Sequence, residues 1–290
     1  MDDMLAWSWE GSPINLGLRR LGAGPTLLLL PALSSISTRS EMYSLQERLA
    51  PSFATVAVDW PGFGTRPRPR CSWRPETYAA FLAHLLAEIV PRPHATVAAG
   101  HAGGYLLAAA AAQPGVAGRL CLLAPTWRGP LPTMMGERRG LFSALVQAGD
   151  LPLLGPLLYR ANVNRFMLRM MARGHVYADP EWLKGALLGE KLAVINSPGA
   201  RHAAIRFVTG ALDPMRSRAE FLAAAAKFTD PVLLLYGAAT PPRSRAEMEA
   251  LAAQPLVRTH QLSAGKLALH EEYPEMVAEA LRDFLQPVAL

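Results

Sequence analysis

Residues 98–110, AAGHAGGYLLAAA, have the pattern of a turn at which a buried strand passes into a helix. Gly100, Ala102 and Gly104 match the spacing Gly-x-Ser-x-Gly of a nucleophile elbow, whose serine attacks a carbonyl carbon. The central residue here is alanine. A methyl group can neither attack a carbonyl nor be activated by a base. The stretch therefore has the glycine spacing of a nucleophile elbow but lacks the nucleophile.

The segments around this turn alternate between strand and helix patterns. Short, solid apolar runs such as TLLLLPA and ATVAAG predict strands buried on both faces, as in parallel sheets. The alternation predicts a mostly parallel sheet with helices on both faces, preceded by a hairpin at 4–20. Predicted strands span 26–32, 53–59, 95–100, 118–125, 231–237 and 257–262, and predicted helices span 37–50, 75–90, 244–253 and 273–285.

The segment between the two halves of this pattern has no strand-like run. From about residue 130 to 228 it carries Leu, Met, Arg and aromatic residues at helical spacing. We therefore predict an α/β core formed by residues 1–130 and 229–290, interrupted by a helical cap at 131–228.

This order of segments resembles the α/β-hydrolase fold over nearly the whole chain. The resemblance is carried by LLLLPALSSIS, VAVDWPGFG, AAGHAGG, the helical insert, LLLYGAATPP and SAGKLALHEEYPEMVAEALRDFL. These correspond in order to the oxyanion loop, the Asp-x-Pro-Gly-x-Gly turn, the elbow, the cap, the acid loop and the histidine loop. The resemblance implies the fold; it does not fix the function.

The resemblance also implies where a catalytic triad would lie. The nucleophile position is Ala102, the acid position is Thr240 and the histidine position is Lys266. All three depart from the serine, acid and histidine that the reaction needs. His270 is a candidate substitute base, oriented by Glu271 or Glu272, although we favour a polar entrance to the last helix for this stretch.

Main-chain groups of the site are independent of these substitutions. The resemblance implies an oxyanion hole formed by the N–H groups of Gly103 and Leu33, with Ser34 as an alternative donor. His101 and Trp127 are candidate pocket residues, and for His101 we favour a structural role. Lys266 is a candidate base or Schiff-base residue, but a long lysine more often extends its amine to water.

These residues leave three functional hypotheses. The first is a protein with a degenerate triad that binds a small apolar ligand carrying a carbonyl or carboxylate, or acts non-hydrolytically through the oxyanion hole. The second is an ester or lipid hydrolase whose serine was replaced at Ala102, or which uses His270 as base. The third is an adaptor that contacts a protein or an anionic membrane through the arginines of residues 66–74, a loop that we interpret instead as a solvated rim.

Composition limits the remaining classes. The chain has 290 residues, a net charge of +6 and 51% hydrophobic residues, which suits a well-cored globular protein. Cys71 and Cys121 do not suggest a disulfide framework, and Cys121 lies in an apolar run. The acidic N-terminus and the absence of a membrane-length apolar run lead us to expect a soluble cytoplasmic protein. The sequence shows neither metal-ligand spacing nor a phosphate-binding glycine motif, so we expect no metal, no cofactor and no nucleic-acid partner.

Overall fold

A computed structural model describes residues 2–286 of the chain. Its strands are β1 (Asp2–Trp9), β2 (Ser12–Leu21), β3 (Thr26–Leu30), β4 (Ala54–Val58), β5 (Ala95–Ala99), β6 (Arg119–Leu123), β7 (Val232–Gly237) and β8 (Val257–Leu262). The six predicted strands and the predicted hairpin are confirmed, with the strands one to three residues shorter in most cases.

Helices cover both faces of this sheet. They are α1 (Tyr43–Leu49), α2 (Pro75–His84), α3 (Ala102–Ala112), α4 (Pro130–Met135), α5 (Leu141–Asp150), α6 (Leu154–Asn162), α7 (Arg165–Met171), α8 (Gly185–Ile195), α9 (Ala200–Thr209), α10 (Arg218–Ala225), α11 (Pro242–Ala252), α12 (Leu269–Glu272) and α13 (Pro274–Leu285). A 3₁₀ turn at Arg39–Met42 precedes α1, and a π turn at Ala172–Val176 follows α7.

The described residues form one eight-stranded sheet with the order β1-β2-β4-β3-β5-β6-β7-β8. The strands from β3 onward pair in parallel, whereas β1 pairs antiparallel with β2, and β2 with β4. The interior strands are almost wholly apolar because helices cover both faces of the sheet. Side chains on either face are therefore shielded from water. This is the α/β-hydrolase fold that the sequence predicted.

The parallel strands all end at the same edge of the sheet. The loops that follow β3, β5, β6, β7 and β8 therefore converge there, as in other parallel sheets whose sites lie outside the carboxyl ends of the strands. In the described segment between β6 and β7, seven helices, α4 to α10, form the predicted helical cap. The site residues named above lie in these loops or in the helices that begin at them.

Two glycines let α3 lie close to its neighbours. A Cβ added at Gly103 would lie 2.8 Å from Cβ of Pro125, and one added at Gly104 would lie 2.9 Å from Cγ of Pro214. Real Cβ atoms do not approach so closely, so larger residues would force α3 away from the loop after β6 and from the end of the cap. The paired glycines are thus explained by packing.

Candidate functional site

The turn between β5 and α3 does not present Ala102 as a nucleophile elbow would present its serine. Gly100 is the residue in the left-handed region, with φ of +52°, whereas His101 is right-handed and Ala102 begins the helix. Ala102 is completely buried among core residues. The sharp backbone turn is therefore two residues earlier than the Gly-x-Ser-x-Gly spacing indicates, at a residue without a side chain.

The main-chain donors expected at this turn are engaged within the fold. The N–H of Gly103 donates to the carbonyl of Gly100 at 3.1 Å, and the N–H of Gly104 donates to that of His101 at 3.2 Å. The Gly103 N–H that we predicted for an oxyanion hole therefore already has a partner in this conformation, in the first turn of the helix.

The loop after β3 is held by a side chain that the sequence analysis missed. The N–H of Ala32 donates to Oε1 of Glu41 at 2.5 Å, which anchors the start of the loop to the 3₁₀ turn before α1. Leu33 is fully buried, and the hydroxyls of Ser34 and Ser37 lie 2.8 Å apart. The hydroxyl of Ser35 is buried and has no hydrogen-bond partner among the described residues.

His270, the candidate substitute base, faces Glu41. Its Nε2 lies 3.3 Å from Oε1 of Glu41, and both side chains are 1% exposed. Glu271 and Glu272, which we predicted as alternatives for orienting the ring, have hydrogen-bond partners of their own. Glu271 accepts a hydrogen bond from Tyr177 and pairs with a lysine of the cap, and Glu272 accepts the backbone N–H groups of residues 178 and 179.

That lysine, Lys191 on α8, completes a buried cluster. Its Nζ lies 3.1 Å from Oε2 of Glu271 and 3.9 Å from Oε2 of Glu41. Burial opposes ionisation of Glu41, but His270, Lys191 and the Ala32 N–H together outweigh it and hold the pKa of Glu41 below its usual value. We call His270, Glu41, Lys191 and Glu271 the His270 cluster.

This cluster includes a donor set that would suit a divalent cation. The ligand atoms of Glu41, His270 and Glu271 all lie within 4.8 Å of one another. Lys191 already supplies positive charge to both carboxylates, and although burial acts against its protonation, Glu271 and then Glu41 raise its pKa. The ammonium group of Lys191 therefore supplies the positive charge beside the two carboxylates that a metal ion would otherwise supply.

His101 belongs to a second buried cluster, which we call the His101 cluster. Its Nε2 lies 3.3 Å from the carbonyl oxygen of Leu212 and 3.5 Å from Oδ1 of Asp213. Asp213 also accepts the N–H of Gly129 at 2.7 Å and a guanidinium N–H of Arg138 at 2.7 Å. Because desolvation lowers the pKa of His101, the neutral ring can donate to Leu212, which supports the structural role favoured from sequence.

The other two triad positions have partners of their own. Thr240 is buried, its N–H donates to Gly237, and its hydroxyl has no hydrogen-bond partner among the described residues. Lys266 is partly exposed, and its Nζ donates to the carbonyl of Arg173 in the cap at 2.5 Å. Lys266 therefore fastens the cap to the core and does not project into an apolar pocket.

Trp127 lines a small concavity in the part of the chain that the structure describes. Its ring is buried and stacked against Phe221, and its Nε1 donates to Glu247 at 3.3 Å. The concavity lies beside Pro125, Ser244 and Glu247 and has a volume of about 10 Å³. This is room for about one water molecule, so a larger ligand requires the cap to move.

The arginine-rich loop at 66–74 is only partly a solvated rim. Arg68 is buried and donates to the carbonyl oxygens of Gly64 and Val194 at 2.6 and 3.0 Å. Arg66, Arg70 and Arg74 are exposed, and Arg74 pairs with Glu10 at 2.5 Å. The loop thus fastens the core to α8 with one arginine and leaves three on the surface, one of which is paired with Glu10.

Comparison with known proteins places these observations in a family. Residues 27–280 match the model of a family described as the alpha/beta hydrolase family. No curated protein sequence matches the chain significantly.

Solved structures of the same fold match almost the whole chain. The wild-type protein Cfl2 from Burkholderia cenocepacia is 23% identical, with a TM-score of 0.73 and coverage of 98% of this chain and 95% of its own. A thermophilic esterase from Thermogutta terrifontis is 18% identical, with a TM-score of 0.71 and 98% coverage of each chain. A bromoperoxidase from Bacillus anthracis is 17% identical, with a TM-score of 0.68 and coverage of 99% and 100%. At these identities the likeness shows the fold alone.

Proposed function

The chain belongs to the alpha/beta hydrolase family, and we propose that it is a non-hydrolytic member that binds a small apolar, oxygen-bearing molecule under its cap. The observation that carries this proposal is the turn after β5. Gly100 occupies the left-handed position without a side chain, and Ala102 is a buried methyl group in the first turn of α3. Neither residue offers an atom that attacks a carbonyl carbon.

The remaining triad positions support the same proposal. A threonine at 240 carries no charge that would stabilise an imidazolium, and the amine of Lys266 is bonded to the cap. Removing a serine nucleophile or its histidine costs about 10⁶ in turnover in a serine protease. A chain that has lost all three groups is therefore a poor serine hydrolase.

Two buried hydroxyl groups support an oxygen-bearing ligand. Ser35 follows β3 and Thr240 follows β7, and the hydroxyl of each lacks a hydrogen-bond partner among the described residues. Buried polar groups are rarely left unpaired, so each is available to a carbonyl or carboxylate that enters when the cap moves. Thr240→Val and Ser35→Ala remove these donors with little change in volume.

Thermal unfolding with three matched probes tests the ligand part of the proposal. We use a medium-chain carboxylic acid, its methyl ester and the alkane of the same length. The acid and ester are expected to raise Tm and the alkane is not, because a ligand at about 100 times its Kd adds about 2.7 kcal/mol to stability. In the Thr240→Val, Ser35→Ala double variant the shift by the acid should fall to that of the alkane. Equal shifts by all three probes would contradict hydrogen bonding of the ligand by these hydroxyl groups.

An ester hydrolase that uses His270 is the second candidate function. It is favoured by one observation, the contact between His270 and Glu41, which pairs an imidazole with a carboxylate. Ala102→Ser and Gly100→Ser place a hydroxyl at the position indicated by sequence and at the position indicated by the backbone. We expect neither variant to hydrolyse generic acyl esters above the unmodified chain. Strong hydrolysis by either one that disappears with His270→Gln would replace the binding proposal with this candidate.

A further inference from the structure

The cap exposes an unusual amount of apolar surface. Of the eleven large hydrophobic side chains that are exposed in the described structure, ten lie between residues 134 and 170. Leu153 is 89% exposed, Phe166 is 72% exposed and Leu157 is 67% exposed. Scattered exposed leucines are ordinary, but such a concentration on consecutive helices marks a surface that meets something else.

These residues repeat at helical spacing. We define the cap face by three pairs of exposed apolar residues, with the two members of each pair four positions apart. The pairs are Leu141 and Leu145 on α5, Leu153 and Leu157 at the start of α6, and Phe166 and Met170 on α7. Other residues of these helices are buried against the protein: Gly149 of α5 lies beside Ile205 of α9, and Tyr159 of α6 packs against Ala200 and Ala204 of α9. The helices are therefore amphipathic, and nothing in the described part of the chain covers the cap face.

Positive charge accompanies this apolar face. Residues 134–175 contain six arginines and two acidic residues, a difference of +4. Both acidic residues are paired, Glu137 with Arg139 at 3.1 Å and Asp150 with His202 at 2.7 Å and with Arg206. Among the described residues, Arg160, Arg165 and Arg169 form none of the observed ion pairs, so their charge remains available to a partner.

We propose that the cap face docks on an anionic lipid surface. Leucine, phenylalanine and methionine would enter the boundary between headgroups and acyl chains, while the arginines meet anionic headgroups. A second copy of the chain fits less well, because a two-fold interface would bring the unpaired arginines of one face near those of the other. This inference concerns the outside of the cap and stands without the proposed ligand function.

The helix geometry indicates a protein that lies on the membrane and does not cross it. No single helix among the described residues is long and apolar enough to span a membrane. Only α5 and α6 taken together have the necessary length and composition, and the two helices are bent by 115°. Ten helical residues measure about 15 Å, half the hydrocarbon thickness of about 30 Å. Short helices with one apolar side suit the interface plane.

Vesicle flotation tests the proposal. The full chain is mixed with vesicles of phosphatidylcholine alone or phosphatidylcholine with phosphatidylglycerol, and the bound fraction is measured against lipid concentration. We expect binding to the anionic vesicles only, weakened by salt. Leu153→Ser with Phe166→Ser should reduce affinity at least about tenfold, because two anchoring side chains no longer enter the bilayer. Arg160→Gln, Arg165→Gln and Arg169→Gln together should reduce it about 100-fold, at about fivefold per arginine.

Matched controls lie elsewhere on the surface. Met4→Ser removes the exposed methionine of β1, and Arg66→Gln with Arg70→Gln removes two exposed arginines of the 66–74 loop for which no ion pair is observed among the described residues. Both controls should bind as the unmodified chain does, and every variant should keep its Tm because the changed side chains are exposed. The proposal is overturned if the unmodified chain stays free of anionic vesicles, or if the loop variant loses binding while the cap variants keep it. It is also overturned if light scattering shows a dimer that only the cap variants dissociate.

Discussion

The two buried histidine clusters both join the core to the cap, but they hold charge in different ways. In the His270 cluster the core supplies the acids and the histidine, and the cap supplies Lys191. In the His101 cluster the core supplies the histidine, and the cap supplies both Asp213 and Arg138. Each cluster uses residue types associated with acid–base catalysis to fix the position of the cap.

The two clusters differ in how far the neighbouring groups offset the effect of burial on the pKa of the carboxylate. The pKa of Glu41 is lowered, because His270, Lys191 and a backbone N–H together outweigh its burial. The pKa of Asp213 is raised, because desolvation outweighs His101 and Arg138. The Lys191 side chain is 4% exposed, whereas that of Arg138 is 36% exposed, so solvent screens the second cation more strongly than the first.

Lys191→Met is the variant with the largest expected effect. It leaves the carboxylates of Glu41 and Glu271 buried without their cation, and removing one partner of a buried ion pair typically costs about 3–5 kcal/mol. Urea denaturation measures the loss. Lys184→Met, at the exposed start of the same helix, is the matched control and should change the free energy of unfolding by less than about 0.5 kcal/mol. Similar small losses in both variants would mean that the His270 cluster does not fasten the cap.

Glu41→Gln should have an intermediate effect with a defined pH dependence. The amide keeps the shape and a hydrogen-bond acceptor for Ala32 but loses the charge, at a cost of about 1–3 kcal/mol at neutral pH. Because the pKa of Glu41 is lowered in the folded state, its contribution is present above the unfolded value of about 4.3 and is lost as the pH falls through the folded value. The stability curves of the two proteins should therefore converge below about pH 4.3. If the difference in free energy of unfolding between the two proteins stayed constant at low pH, that would contradict an ionised Glu41.

Asp213→Asn should have the smallest effect and the opposite pH dependence. The amide can still accept the N–H of Gly129, and the substitution removes a desolvated charge, so we expect a loss of less than about 1 kcal/mol at neutral pH. Because the folded pKa of Asp213 is raised, the unmodified protein gains stability as the pH falls through that value toward the unfolded one. As the pH falls from the folded pKa of Asp213 toward the unfolded one, the unmodified protein should therefore become more stable relative to the Asp213→Asn variant. A relative loss would show that Arg138 compensates the charge as fully as Lys191 does in the other cluster.

The sequence determined the fold through features that act locally. Uninterrupted apolar runs such as TLLLL form strands that must be covered on both faces, here by two layers of helices. The alternation of these strands with helical patterns allows few topologies. The helical cap followed from the change of pattern after the fourth parallel strand. The residues at the positions where the resemblance implies serine, acid and histidine are likewise given by the sequence, since Ala102, Thr240 and Lys266 are read directly from it.

The tertiary structure decided how those positions are used. Residue spacing does not report φ, so only the fold could place the left-handed turn at Gly100, with the Gly103 N–H already bonded. Glu41 and Lys191 are 150 positions apart in the chain, and their contact with His270 depends on the packing of the cap against the core. The one sequence signal was a lysine three residues after Leu188 and four before Ile195, on the buried side of α8. Local patterns specify strands and helices, whereas burial, charge pairing and cavity volume arise only when distant segments meet.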